Sequence, residues 1–409
     1  MKTKLITFTL LIFCLSMSGQ DRFLTYISKD TIAGIPKVRG SIGVNLKLNG
    51  YYDFFGGLQN SETFNVGAID VFGTDDSDNL KVDLYQTQIH MEASVLTKSG
   101  KMVNGVVEFD FWGGNGQMRL RKAYVEFDHW VIGQTFVPYG DAELWPNIME
   151  WEGPPSGIWV REPFVSYHNN INKNWKYTLA FIAPTVDYDK FGELEPILNE
   201  TNQTTPDFTV AIKYQKNWGH LRLSSIVRNV KYSYLDKQSS FMGYGLAFSG
   251  IYIHQKNNLQ FQLTGGKGVA AYNTTIQGFG YDGFPTIHGE VDATPSLGGW
   301  VSYEWFYAPK FHSTLVLGYT QYFFEDLSRS VISTSPKESI TLINGTVNNR
   351  HNYGIINLMY DPFEGLTFGV ELDYGRKKMS MDGFIDGEYN NDVKSRDAMR
   401  ASFGCMYSF

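Results

Sequence analysis

The sequence predicts an all-β protein, a transmembrane antiparallel β-barrel of about sixteen strands with one long loop folded inward as a constriction. Three observations predict it. Large apolar side chains recur at every second position over most of the chain, the connectors alternate between short and long, and the chain ends on a strand with no turn after it. Alternation of this kind makes a sheet with one apolar and one polar face. A soluble sandwich would hide the apolar face; an outer-membrane barrel shows it to lipid and keeps a wet lumen. Short turns on one side and long loops on the other select the barrel.

At the N-terminus, Lys2 and Lys4 precede an apolar stretch, 5–15, that is followed by Ser16, Ser18 and Gly19. This is the three-part pattern of a secretory signal peptide, expected over residues 1–19. It is too short for a spanning helix, which needs about 20 apolar residues. Removing it takes Lys2 and Lys4 away and moves the formal charge from −7 to −9. It also removes Cys14 and leaves Cys405 alone, so the exported chain holds no intrachain disulfide. Residues 20–40 are expected as a short periplasmic segment and 41–409 as the barrel, in the bacterial outer membrane. With 25 Tyr, 29 Phe and 41 Gly but no Lys/Arg-rich stripe, the composition favours strands and argues against nucleic-acid binding.

Along the barrel, Tyr85, Thr87, Ile89, Met91, Ala93 and Val95 share one face, and Gln86, Gln88, His90, Glu92 and Ser94 share the other. Leu366, Phe368, Val370, Leu372 and Tyr374 alternate with Thr367, Gly369, Glu371 and Asp373 in the same way. Long connections are expected at 55–81, 137–158, 184–206, 266–297, 325–351 and 375–395, facing outward. Short turns at 98–101, 128–129, 215–217, 256–257, 309–310 and 362–365 face the periplasm. An unpaired backbone group in lipid costs several kcal/mol, so the last strand must pair with the first. The final stretch, with Ala401, Phe403, Cys405, Tyr407 and Phe409 on one face, is expected to close against 42–48. Its terminal Phe409 also matches the signal read by the outer-membrane assembly machinery.

From Gly40 onward the chain resembles the DcaP-like outer-membrane porins. The resemblance is densest across 108–161 and rests on VEFDFWG (107–113), RLRKAYVEF (119–127), VIGQTF (131–136) and EGPPSGIWVREP (152–163). Phe136 and Val137 after GQT, and Glu162 after the loop's Arg, depart from the family pattern. The resemblance implies a sixteen-stranded trimeric channel for small hydrophilic solutes, in this family dicarboxylates and similar small acids. It also implies that the loop 138–157 folds into the lumen.

That loop holds Asp141, Glu143, Glu150 and Glu152, with Trp145, Trp151 and four prolines that suit a segment folded against a wall. Arg119, Arg121, Lys122 and Arg161 are expected to form a basic wall, and Glu108 and Asp110 share the inward face of their strand. Opposed charges at a narrow point set ion preference; the bland alternative is that they pair and merely hold the loop. The pairs Glu108/Asp110 and Glu371/Asp373 have a spacing common on any wet barrel wall, so a glycosidase role is not favoured. Asp75, Asp76 and Asp78 lack EF-hand spacing and fit a solvated acidic loop. There is no HExxH, no G-x-S-x-G and no phosphate-binding context for the Gly clusters at 113–116 and 265–268. No catalytic residue, cofactor or metal is therefore expected. The partners implied are outer-membrane lipid, small hydrophilic solutes and two further copies of the chain. The competing readings are a lipase-type barrel enzyme, which needs a Ser–His pair at the outer rim, and a structural or adhesive barrel with a blocked lumen.

Overall fold

The computed structural model describes residues 23–409 apart from 56, 59–61, 75–76, 115, 187–197, 200, 235–236, 289 and 336–337. The expected signal peptide and the acidic pair Asp75 and Asp76 lie outside the described residues. Sixteen wall strands follow in chain order. They are β1 Val38–Phe54, β2 in two pieces (Asn79–Asp83 and Gln88–Leu96), β3 Met102–Asp110, β4 Arg119–Phe127 and β5 Trp130–Phe136. Next come β6 Arg161–Asn170, β7 Trp175–Ile182, β8 Asp207–Lys216, β9 Gly219–Tyr234, β10 Lys237–His254 and β11 Asn257–Lys267. The wall is completed by β12 Pro295–Ala308, β13 Phe311–Ser335, β14 Glu338–Phe363, β15 Leu366–Ile385 and β16 Glu388–Ser408.

Each strand pairs antiparallel with its neighbours in sequence, and β16 pairs with β1 to close the cylinder. Closure runs from Met399 opposite Phe54 to Ser408 opposite Asn45, and Val44 and Phe409 exchange both backbone hydrogen bonds, at 2.7 and 2.9 Å. The partner is the expected first strand, but the paired stretch is displaced toward residues 45–54. The beginning of β1 is otherwise engaged, because Leu24–Ile27 folds back and pairs with residues 39–42.

The barrel is inside out relative to a soluble domain. On β15, Phe368, Val370, Leu372 and Tyr374 are 44–53% exposed, while Glu371 and Asp373 between them are at most 4% exposed. Burying apolar area is worth about 25 cal/mol per Å², and here that face finds no protein cover; hydrocarbon supplies it. Aromatic pairs such as Trp175 with Tyr214 and Phe311 with Tyr360, 4.8 and 4.7 Å between ring centroids, stand beside the short turns. That is the place of an interfacial girdle.

The long connections after β1, β5, β7 and β11 leave the wall at one end, as expected. Two others do not exist as loops. The described residues of 325–351 and of 375–395 belong to the far ends of β13–β14 and β15–β16, strands of 20 to 26 residues. Crossing the membrane takes about 10 residues, so these strands continue above it. There both faces meet water or protein, and the apolar alternation that marks a lipid-facing strand fades. Inside the mouth, residues from 64–71 and 270–284 pack on the tall strands. Val71, Ile276, Tyr281 and Phe284 meet Tyr322, Phe324, Val347 and Met379, while Phe64, Val66 and Ile69 meet Val316, Tyr353 and Ile355.

Candidate functional site

On β3, alternation turns Glu108 and Asp110 inward, both at most 4% exposed. On β4 strict alternation would place Arg119 and Arg121 inside and Lys122 outside. A β-bulge changes this. Glu108 is opposite Lys122 while Phe109 is opposite Leu120, so Arg121 is the extra residue. A bulge bends its strand and re-aims side chains, and both Arg121 and Lys122 end up buried in the interior. The next strand holds the bulge. Gln134 donates to the Arg121 carbonyl at 3.3 Å, and Gly133, at φ +129°, lies where a Cβ would come within 2.6 Å of the Tyr124 Cα. The GQT stretch therefore works as the bulge's support.

These charges interlock. Glu108 accepts from Arg121 Nε and Lys122 Nζ, both at 2.9 Å, and bonds His90 at 3.2 Å. Asp110 accepts from Arg119 at 2.7 and 3.1 Å and from Arg121 at 3.0 Å. Arg121 also lies over the Trp151 ring, 4.5 Å from its centroid. Arg161, at the start of β6, lies 5.4 Å from the Phe136 ring centroid and within electrostatic reach of Arg121 and Arg119. Among the described residues it has no ion-pair partner. Three cations thus share two carboxylates, and Arg161 stands beside them as a fourth.

The segment 137–160 packs on inward-facing residues of ten wall strands, from β8 round to β1, and its acids are engaged there and by the 55–78 connection. Asp141 accepts from Ser249 at 2.8 Å and bonds His220 at 2.9 Å. Burial pushes its carboxyl up, but the bond and charge of His220, the charge of Arg222 and the Ser249 hydroxyl outweigh it and hold it well below the usual range. Glu143 accepts from Lys213 at 2.5 and 2.6 Å. Glu150 accepts from the Phe64 amide at 2.9 Å and Glu152 from the Asn65 side chain at 3.0 Å. Burial, with the charge of Glu150 adding to it and the Thr63 hydroxyl opposing it, raises the Glu152 carboxyl to about 8. None of the four acids is paired with the β4 cations.

The backbone of the segment is bound as well. Met149 and Glu150 donate their amides to Glu371 at 2.8 and 2.7 Å, and Lys47 donates to the Met149 carbonyl at 2.5 Å. Asn147 donates to Glu304 and accepts from Asn357 through its carbonyl. Wall glycines make the room. A Cβ at Gly298 would come within 2.9 Å of Ser156, one at Gly318 within about 3 Å of Pro154 and Pro155, and one at Gly245 within 2.5 Å of the Tyr139 hydroxyl. Without those clearances the prolines and Tyr139 could not seat.

Residues that sequence reasoning missed are the far partners: Lys47, His90, Lys213, His220 and Glu371. So is a second buried network in which Arg228 pairs with Asp207 at 3.2 Å and with Asp282 at 2.9 Å, while Tyr272 donates to Asp207 at 2.6 Å. Their inward alternation was legible; their partners, tens to hundreds of positions away, were not. Asp78 accepts from the Tyr52 hydroxyl at 2.6 Å.

The closed cylinder, its apolar outer face and its polar interior define an outer-membrane β-barrel. A sequence model of the family described as DcaP outer membrane protein matches residues 26–214, which include the bulge, GQT and the inward-packed segment. Over that stretch the chain is similar to this family, and its barrel is of the porin type found in the bacterial outer membrane. Comparison with curated proteins gives no match. Among solved structures it is similar to the outer membrane channel DcaP of Acinetobacter baumannii, at 19% identity over 94% of this chain and 99% of that one, with a TM-score of 0.70. An anion-selective porin from Comamonas acidovorans aligns over 91% and 100% of the two chains at 10% identity, TM-score 0.56. The trimer form of OmpT, an outer membrane protein of Vibrio cholerae, aligns over 90% and 99% at 10% identity, TM-score 0.51.

Proposed function

We propose that the barrel is a passive, anion-preferring diffusion channel for small hydrophilic acids of the dicarboxylate type. In this reading the segment 137–160 is its constriction, and the protein works as a homotrimer without enzymatic activity. The observation that carries the proposal is the imbalance beside that segment. Arg119, Arg121, Lys122 and Arg161 stand with only Glu108 and Asp110, and Arg161 is left without an ion-pair partner among the described residues. A local excess of positive charge lowers the energy of an anion and raises that of a cation at the same point. The loop's own acids, held by His220, Lys213, Asn65 and Phe64, serve as anchors.

The trimeric relative and the anion-selective one support the oligomer and the charge preference by likeness of fold. The test is conductance in planar bilayers under a salt gradient. Steps in threes with a reversal potential of anion-selective sign are expected. A silent bilayer would instead favour the blocked barrel, and a cation-selective potential would remove the charge argument.

A further inference from the structure

On the outer face of the tall wall, away from the 137–160 segment, lies a depression of about 420 Å³ lined by Tyr319, Arg350, Asn352, Arg376, Lys378 and Ser395, among others. Strand register makes it a ladder. Leu315, Ile356 and Leu372 stand in one row across β13, β14 and β15, and Leu317 and Tyr374 flank Gly354 in the next. The row after that is Tyr319, Asn352 and Arg376, and the following one includes Arg350 opposite Lys378. Rows on one face are about 7 Å apart. The surface therefore passes from apolar to cationic within a single step, at the end of the lipid-facing belt nearer the long loops.

Arg376 pairs with Asp397 at 3.1 Å. Arg350 and Lys378 have no ion-pair partner among the described residues, and the Tyr319 hydroxyl, which donates to Gln321 at 2.6 Å, keeps lone pairs free. Two uncompensated cations beside amide and hydroxyl groups fit a phosphate monoester carried on a sugar. The lipid belt directly below fits the acyl chains of the same molecule. A soluble anion would need only the upper two rows and would leave the continuity with the belt without a purpose.

We propose that this depression is a docking site for the phosphorylated sugar headgroup of an outer-leaflet glycolipid, with Arg350 and Lys378 holding the phosphate. The test uses detergent-solubilised, folded full-length protein and native mass spectrometry with lipid A as bis-phosphorylated and dephosphorylated probes. The wild type is expected to retain the bis-phosphorylated form about tenfold better, and Arg350→Ala with Lys378→Ala to lose that difference. Lys378→Gln alone, a milder change, is expected to lose about threefold and serves if the double variant does not fold. Equal retention of both lipids, or an unchanged preference in the variants, overturns the proposal. So does displacement by millimolar inorganic phosphate, which would mark a free-anion site, or loss of the oligomer in the variants, which would assign the face to subunit contact.

Discussion

Two groups of cations stand on opposite faces of the barrel wall, and their surroundings differ completely. Inside, Arg121 and Lys122 are almost fully buried, share Glu108 and Asp110, and are held in place by a bulge and by Trp151. Outside, Arg350, Arg376 and Lys378 line an open depression with Asp397 as the acid that pairs with one of them. Arg121 and Lys122 are held because each has its carboxylate; the functional charge of the inner group is the surplus left by Arg161, which has no ion-pair partner among the described residues. The outer group is a surface feature in which Asp397 holds Arg376, while Arg350 and Lys378 have no ion-pair partner among the described residues. Paired charge near the lumen costs desolvation that only good hydrogen bonding recovers, which explains the density of bonds around Glu108 and Asp110.

Removing the unpaired inner cation should have the largest effect. A unit charge 6 Å from a passing ion in a watery lumen is worth about 0.7 kcal/mol, or about threefold in occupancy. Because that charge favours an anion and disfavours a cation by the same amount, Arg161→Ala is expected to lower the anion-to-cation permeability ratio about tenfold in reversal-potential measurements. An unchanged ratio would take Arg161 out of the selective region. Disturbing the bulge comes next. Gln134→Leu deletes a hydrogen bond worth about 1 kcal/mol and frees the Arg121 carbonyl. The ratio should fall about twofold with the barrel still folded on unheated gels, whereas an identical ratio would make the bulge self-supporting.

A pH effect should be smaller and confined to the loop. Because the Glu152 carboxyl is raised to about 8 from an ordinary 4.5, the folded loop favours its protonated form. Its contribution to seating the loop is complete below about 4.5 and is lost as pH rises through about 8. Current noise of the open channel should increase between pH 7 and pH 9, and Glu152→Gln should abolish that increase; noise that persists in the variant would point to another group. The smallest effect is expected outside. Arg350→Ala with Lys378→Ala should leave the ion ratio within about a tenth of wild type, since the wall and its water lie between those charges and the lumen and screening acts within about 10 Å. A shift as large as that of Arg161→Ala would erase the distinction between the two groups.

Much of this molecule was legible before any coordinates. Alternation placed Glu108, Asp110, Glu371 and Asp373 on inner faces, because side-chain direction in a strand depends only on counting by two, and Arg119, Arg121, Lys122 and Arg161 were expected as a basic wall. The final strand declared its need for a partner, and β1 supplied it. Lys122 broke the count. Its inward position depends on an extra residue opposite β3, and a bulge is a property of two strands that neither sequence announces alone. Wall height was also hidden. Residues 375–395 carry too little apolar pattern above the membrane to be distinguished from a loop, yet cross-strand bonds extend them as β15 and β16.

The loop acids show the same division most clearly. Proline and tryptophan in 138–157 made a docked segment predictable, since such a stretch gains little by remaining in water. Which wall groups receive Asp141, Glu143, Glu150 and Glu152 was decided in three dimensions. Met149 and Glu371 are 222 positions apart, and Lys213 and Glu143 are 70 apart. The sequence by itself determined the medium on each face and the closure of the cylinder, because both follow from local periodicity and from the cost of bare backbone in hydrocarbon. Only the tertiary structure decided which charges cancel and which remain, because cancellation is a matter of ångström distances between strands that the chain brings together from far apart.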